Sequence, residues 1–146
     1  MLVAYRPGQL AVAAGPQAPG EAPDEVLEKL LDRLPRGSVP VADAEFSSAA
    51  CLKHLLEKLD EGALVGFLVR ANRQWHAELW ERLEREPYGV PVPGKLMGHE
   101  LYAWRFMLKT RKGPRSAMLF STSPRLGPEL YRGRWSVEIF LASLRS

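Results

Sequence analysis

The chain has 146 residues, of which 46% are hydrophobic and 25% charged, the make-up of one folded domain with enough apolar material for a real core. No apolar run reaches the roughly 18 residues of a membrane-spanning helix, and Met1 is not followed by a basic, apolar and small-residue leader, so a cytoplasmic location is expected. The single cysteine, Cys51, excludes an internal disulfide and reads as a buried thiol. Charge is unevenly spread: residues 1–104 carry 11 Lys and Arg against 15 Asp and Glu, whereas residues 105–146 carry nine against two. A basic C-terminal third points either to a polyanionic partner or to a solvated basic face.

Taken in chain order, Leu2–Tyr5 and Leu10–Ala14 read as short extended segments around the turn signal Pro7-Gly8, and residues 15–23 as a Gly/Pro/Ala loop. Val26, Leu27, Leu30, Leu31 and Leu34 make one apolar stripe, which predicts a helix over Asp24–Leu34 with acids in its first turn. Pro35-Arg36-Gly37 breaks it. Val39–Ala42 then reads as a buried strand ending in Asp43. A second helix is predicted over Ser48–Glu61 from Leu52, Leu55, Leu56 and Leu59, with Gly62 as its stop. Leu64–Arg70 is apolar and β-prone, so strand, helix and strand alternate, which predicts an α/β layer with some parallel pairing.

Gln74–Glu86 reads as a helix with Trp75, Leu79, Trp80 and Leu83 on its packed side, and the Pro- and Gly-rich stretch from Pro87 to Gly98 as irregular. Leu101–Lys109 alternates: Tyr102, Trp104, Phe106 and Leu108 share one face, and Arg105, Met107 and Lys109 the other. Across the turn Lys112-Gly113-Pro114, Ala117–Ser121 completes an antiparallel hairpin. A last helix is predicted over Pro128–Arg145, anchored by Val137, Phe140, Leu141 and Leu144. On it Tyr131, Arg134, Glu138 and Arg145 fall within an arc of roughly 60° at about 100° per residue. That polar stripe suits a metal-and-phosphate surface. Its spacing equally makes Arg134–Glu138 an ordinary i, i+4 ion pair. His54, His76 and His99 lack zinc-ligand spacing, and Ser47-Ser48 has no nucleophile-elbow context.

The segment Tyr131-Arg132-Gly133-Arg134-Trp135-Ser136-Val137-Glu138-Ile139-Phe140 resembles the Tyr-x2-Arg-x3-Glu-x6-Lys signature of DDE transposases from bacterial insertion sequences, with Arg145 in place of the final Lys. Upstream, Val41-Ala42-Asp43-Ala44-Glu45-Phe46 resembles that family's strand ending in Asp, with Phe shortly after it, although Ala44 and Glu45 stand where the family has a basic residue and Gly. Leu64–Asn72 is similar to its next core strand, with Arg70 and Asn72 at the end. The resemblance covers roughly residues 24–145 and is strongest at the C-terminal end.

The resemblance implies an α/β fold: an incomplete ribonuclease-H-like mixed sheet flanked by helices, with a β-rich insertion over about residues 74–125. It implies DNA transposition by metal-dependent strand transfer, with Asp43 and Glu138 as catalytic carboxylates holding Mg²⁺ or Mn²⁺. Tyr131, Arg134 and Arg145 would then contact DNA. Two hard cations about 4 Å apart can activate the attacking oxygen and stabilise the leaving one. The family's first Asp is missing: the earliest here is Asp24, at a helix start. The chain therefore reads as the C-terminal portion of a transposase, inactive by itself. The expected partners are DNA and either a separate N-terminal transposase chain or a second copy. Two other readings stand beside this one, a non-catalytic DNA-binding module and a structural, self-associating protein.

Overall fold

The computed structural model describes residues 2–6, 9–13 and 22–132. They form a seven-stranded mixed sheet in the order β2-β1-β3-β4-β7-β6-β5. Strands β1 (Leu2–Arg6) and β2 (Gln9–Ala13) pair antiparallel on either side of Pro7-Gly8, and β1 runs antiparallel to β3 (Val39–Ala42). β3 and β4 (Leu68–Arg70) are parallel, with helix α2 (Ala49–Asp60) crossing between them. β4 then pairs antiparallel with β7 (Gly113–Ser121), β7 with β6 (His99–Thr110), and β6 with β5 (Pro91–Leu96).

Alternation along the strands builds two cores. One face carries Ala42, Val69, Leu101, Ala103, Met118 and Phe120. Against it pack helix α1 (Pro23–Asp32), through Val26, Leu27, Leu30 and Leu31, then α2 through Cys51, Leu52, Leu55 and Leu56, and α3 (Ala77–Leu83) through Trp80 and Leu83. The other face carries Val39, Val41, Leu68, Trp104, Phe106, Leu108, Ala117 and Leu119, and Tyr131 packs there. Residues 122–132 return across this second face. Gly66 makes the approach possible, since a Cβ there would stand 2.7 Å from Thr122 Oγ1 and 2.8 Å from Leu126 Cδ1. The Phe67 N–H donates to the same Thr122 hydroxyl at 3.1 Å. Among the described residues no helix is long and apolar enough to cross a membrane.

Three expectations change. The stretch from Pro87 to Gly98 is not irregular throughout, because Pro91–Leu96 pairs along β6 as β5. Proline lacks a ladder donor, and Pro91 and Pro93 are tolerated because β5 is the sheet's edge. Met97 and Gly98, with φ of 50° and 80°, close the two-residue hairpin that joins it to β6. The strand expected over Leu64–Arg70 enters the ladder only from Leu68, with Leu64 bridging Ser38 and Val65 turned outward. The third helix starts at Ala77, not Gln74. The Asn72 carboxamide oxygen accepts the N–H groups of Gln74 and Trp75 at 2.9 and 3.4 Å, an Asx turn that competes with helix at those positions. Trp75, expected on the packed side, is half exposed as a result.

The β5–β6 hairpin is tied to the end of α2 by one histidine. His99 Nε2 lies 2.9 Å from Asp60 Oδ2, while Nδ1 lies 3.1 Å from the Met97 carbonyl oxygen. Both neighbours are acceptors, so only the imidazolium donates to both. The Asp60 hydrogen bond, then that to Met97, raises the His99 pKa above its ordinary 6.5. Because the folded value is the raised one, the stabilisation is complete below about pH 6.5 and is lost as pH rises through the folded pKa. Melting temperatures of the wild type and His99→Gln should therefore differ most at mildly acidic pH and converge above that window. A gap that does not vary with pH would show that the imidazolium is not what ties the hairpin.

Candidate functional site

Asp43 stands at the C-terminal end of β3, where it begins a single 3-10 turn, Ala44–Phe46. It occupies the cap position, yet its side chain makes no capping hydrogen bond there. The parallel register pairs Val41 with Leu68 and Ala42 with Val69. One step further along stand Asp43 and Arg70. By alternation both project to the face of Val41 and Leu68, the face on which Tyr131 packs.

The backbone after Asp43 is held by a small polar network. Ser47 is fully buried, and its hydroxyl donates to the Ala44 carbonyl at 2.7 Å while accepting the Asn72 N–H at 2.8 Å. The Ser47 carbonyl lies 2.7 Å from His76 Nε2, whose ring meets Phe120 edge-on at 4.8 Å. One serine thereby fastens the turn after β3 to the segment after β4, which sets the spacing between Asp43 and Arg70. Ser48 caps α2 by accepting the Cys51 N–H at 3.2 Å. Cys51 is buried, and that burial raises its thiol pKa, so it remains a neutral core group with no nucleophilic character.

A cleft of about 660 Å³ opens where β4 ends and the β6–β7 hairpin continues past it. Arg70, Arg73 and Arg115 line it together with Gln74, Thr110 and Ser116, Ala44 borders it beside Asp43, and among the described residues no acid contributes to its wall. Arg70 Nε is buried and has no hydrogen-bond partner among the described residues. Arg73 reaches out of the wall to Glu84 at 3.2 Å and lies over the Trp80 ring at 5.2 Å. A larger cleft, about 840 Å³, runs beside Trp104 and Phe106 between Tyr88 and Arg132, and neither Asp43 nor Arg70 lines it.

Of the residues predicted for the site, Asp43 and Tyr131 are described, while Arg134, Glu138 and Arg145 lie outside the described residues. Tyr131 is completely buried, with its ring edge-on to Phe106 at 5.6 Å. It packs as a core group on the second face of the sheet. Among the described residues no group of three or more His, Cys, Asp and Glu is placed to hold a metal ion. Sequence reasoning weighed Ser47 only as a nucleophile and did not single out Arg73 or Arg115. Ser47 carried no motif, and the two arginines converge only when β7 pairs with β4. No family model, curated protein or solved structure matches the chain.

Proposed function

We propose that this chain is a transposase-derived protein of the DDE type that engages DNA, with Asp43 and Glu138 as its metal-binding carboxylates. The observation that carries the reading is the position of Asp43. It ends the first of two adjacent parallel strands joined across α2. Ligand sites of open α/β sheets collect outside the carboxyl ends of the parallel strands. Tyr131, first residue of the C-terminal signature, packs on the sheet face to which Asp43 projects, so the segment that continues to Glu138 starts from that side. The finer expectation of a ribonuclease-H-like arrangement belongs to this proposal.

The oxygen chemistry of Asp43 suits a hard divalent ion, and Mg²⁺ or Mn²⁺, when bound, would stabilise charge developing on a phosphodiester. The two strands preceding Asp43, Leu-Val-Ala-Tyr-Arg and Gln-Leu-Ala-Val-Ala, contain no acid, and Asp24 lies in the first turn of α1. Among the described residues no strand before Asp43 supplies a third carboxylate, and on this reading the chain by itself binds DNA without cutting it. Self-association by strand pairing at β5 is disfavoured, because Pro91 and Pro93 interrupt that edge.

Calorimetric titration with Mn²⁺ tests the assignment. Wild-type protein should bind the ion, and Asp43→Ala and Glu138→Ala should each abolish binding. Absence of binding, or binding indifferent to both substitutions, would overturn it.

A further inference from the structure

We infer that the cleft at the end of β4 is a phosphate-binding groove for a nucleic-acid backbone, with Arg70 at its base and Arg73 and Arg115 on its walls. The inference takes from the reading above only the source of the phosphates, and it stands on the chemistry of the cleft. Three arginines line one cleft in whose wall no acid stands among the described residues, Arg70 and Arg115 beside it and Arg73 held at its rim by Glu84 at 3.2 Å. Arg70 is partly buried at the end of a central strand, with an Nε–H that is shielded from water and has no acceptor among the described residues. Burying such a donor unmatched is costly, and an anion entering the cleft would offset that cost. Guanidinium suits a phosphodiester because its forked donors match two oxygens at once. Gln74, Thr110 and Ser116 add neutral donors of the kind that also contact phosphate oxygens.

The surroundings extend the groove in one direction. The β6–β7 hairpin projects beyond β4 and carries Lys109, Arg111, Lys112 and Arg115, with no acid between Arg105 and Arg125. A strand of nucleic acid laid along that hairpin passes from its basic tip into the arginine cleft and ends beside Ala44 and Asp43. Contacts from these side chains to phosphate oxygens make the binding indifferent to sequence and sensitive to salt.

The test is fluorescence anisotropy of a labelled random-sequence DNA duplex, with a metal chelator present, at several chloride concentrations between about 50 and 200 mM. Wild-type affinity should fall steeply with salt. Arg115→Ala and Arg73→Ala, both at exposed positions, should each lower the logarithmic salt slope by about one. Lys53→Ala, which removes an exposed cation on α2, should leave the slope unchanged. The groove is refuted if the wild type does not bind, if Lys53→Ala weakens binding as much as the arginine variants, or if neither arginine matters. It is refuted as a nucleic-acid site if inorganic phosphate displaces DNA beyond what chloride of equal ionic strength achieves. Because metal is chelated throughout, loss of the groove leaves the Asp43–Glu138 assignment to its own titration, and the reverse holds equally.

Discussion

Phe106→Ala should lower the unfolding free energy by about 3–5 kcal/mol, while Met107→Ala, one residue on in the same strand, should stay within about 0.5 kcal/mol. Phe106 is completely buried, facing Leu108, Ala117 and Leu119 on the second face of the sheet, with the Tyr131 ring edge-on to it. Its removal leaves a cavity between a central hairpin and the segment that returns across it, and a sheet paired on both sides cannot collapse to fill the gap. Met107 points to the opposite face and is 36% exposed, so its truncation removes little. Denaturant titration should show the shift in midpoint for Phe106→Ala with an unchanged slope. Equal losses for both variants would mean that the strand does not alternate as described.

Ser47→Ala should cost about 1–3 kcal/mol and should also weaken the Mn²⁺ binding proposed for Asp43. The hydroxyl serves two backbone groups, the Ala44 carbonyl and the Asn72 N–H, and the residue is fully buried, so water cannot replace it. Without it the turn after Asp43 keeps only the His76 contact to the segment after Arg70. Ser48→Ala is the matched control. It removes only the cap of α2, for about 1 kcal/mol, and should leave Mn²⁺ affinity as it is. Calorimetry on the two variants at a temperature where both are folded separates a local effect on Asp43 from a general loss of stability. If Ser47→Ala binds Mn²⁺ like the wild type, the serine has no part in positioning Asp43.

How far the chain can be read without its structure depends on how local each signal is. Period-3.6 stripes at Val26–Leu31 and Leu52–Leu56, and period-2 alternation from Tyr102 to Leu108, foretold α1, α2 and β6 to within a few residues, because each pattern needs only neighbouring side chains. Val39–Ala42 and its terminal Asp43 were legible for the same reason. Asn72 announced its own Asx turn only once the backbone after β4 was seen to bend around it. The prolines of β5 concealed a strand, since proline forbids a central strand but not an edge one, and edge position is a property of the whole sheet.

The sequence alone determined an α/β fold, a buried thiol, a basic C-terminal third and a strand ending in Asp43. Only the tertiary structure decided that Asp43 and Arg70 stand side by side, that Tyr131 belongs to the core, and that Arg73 and Arg115 share a cleft. The physical reason is strand order. Parallel pairing of β3 with β4 and antiparallel pairing of β4 with β7 bring together residues that lie far apart along the chain. Hydrophobic periodicity specifies which face of a strand is buried and carries no information about which strand lies beside it.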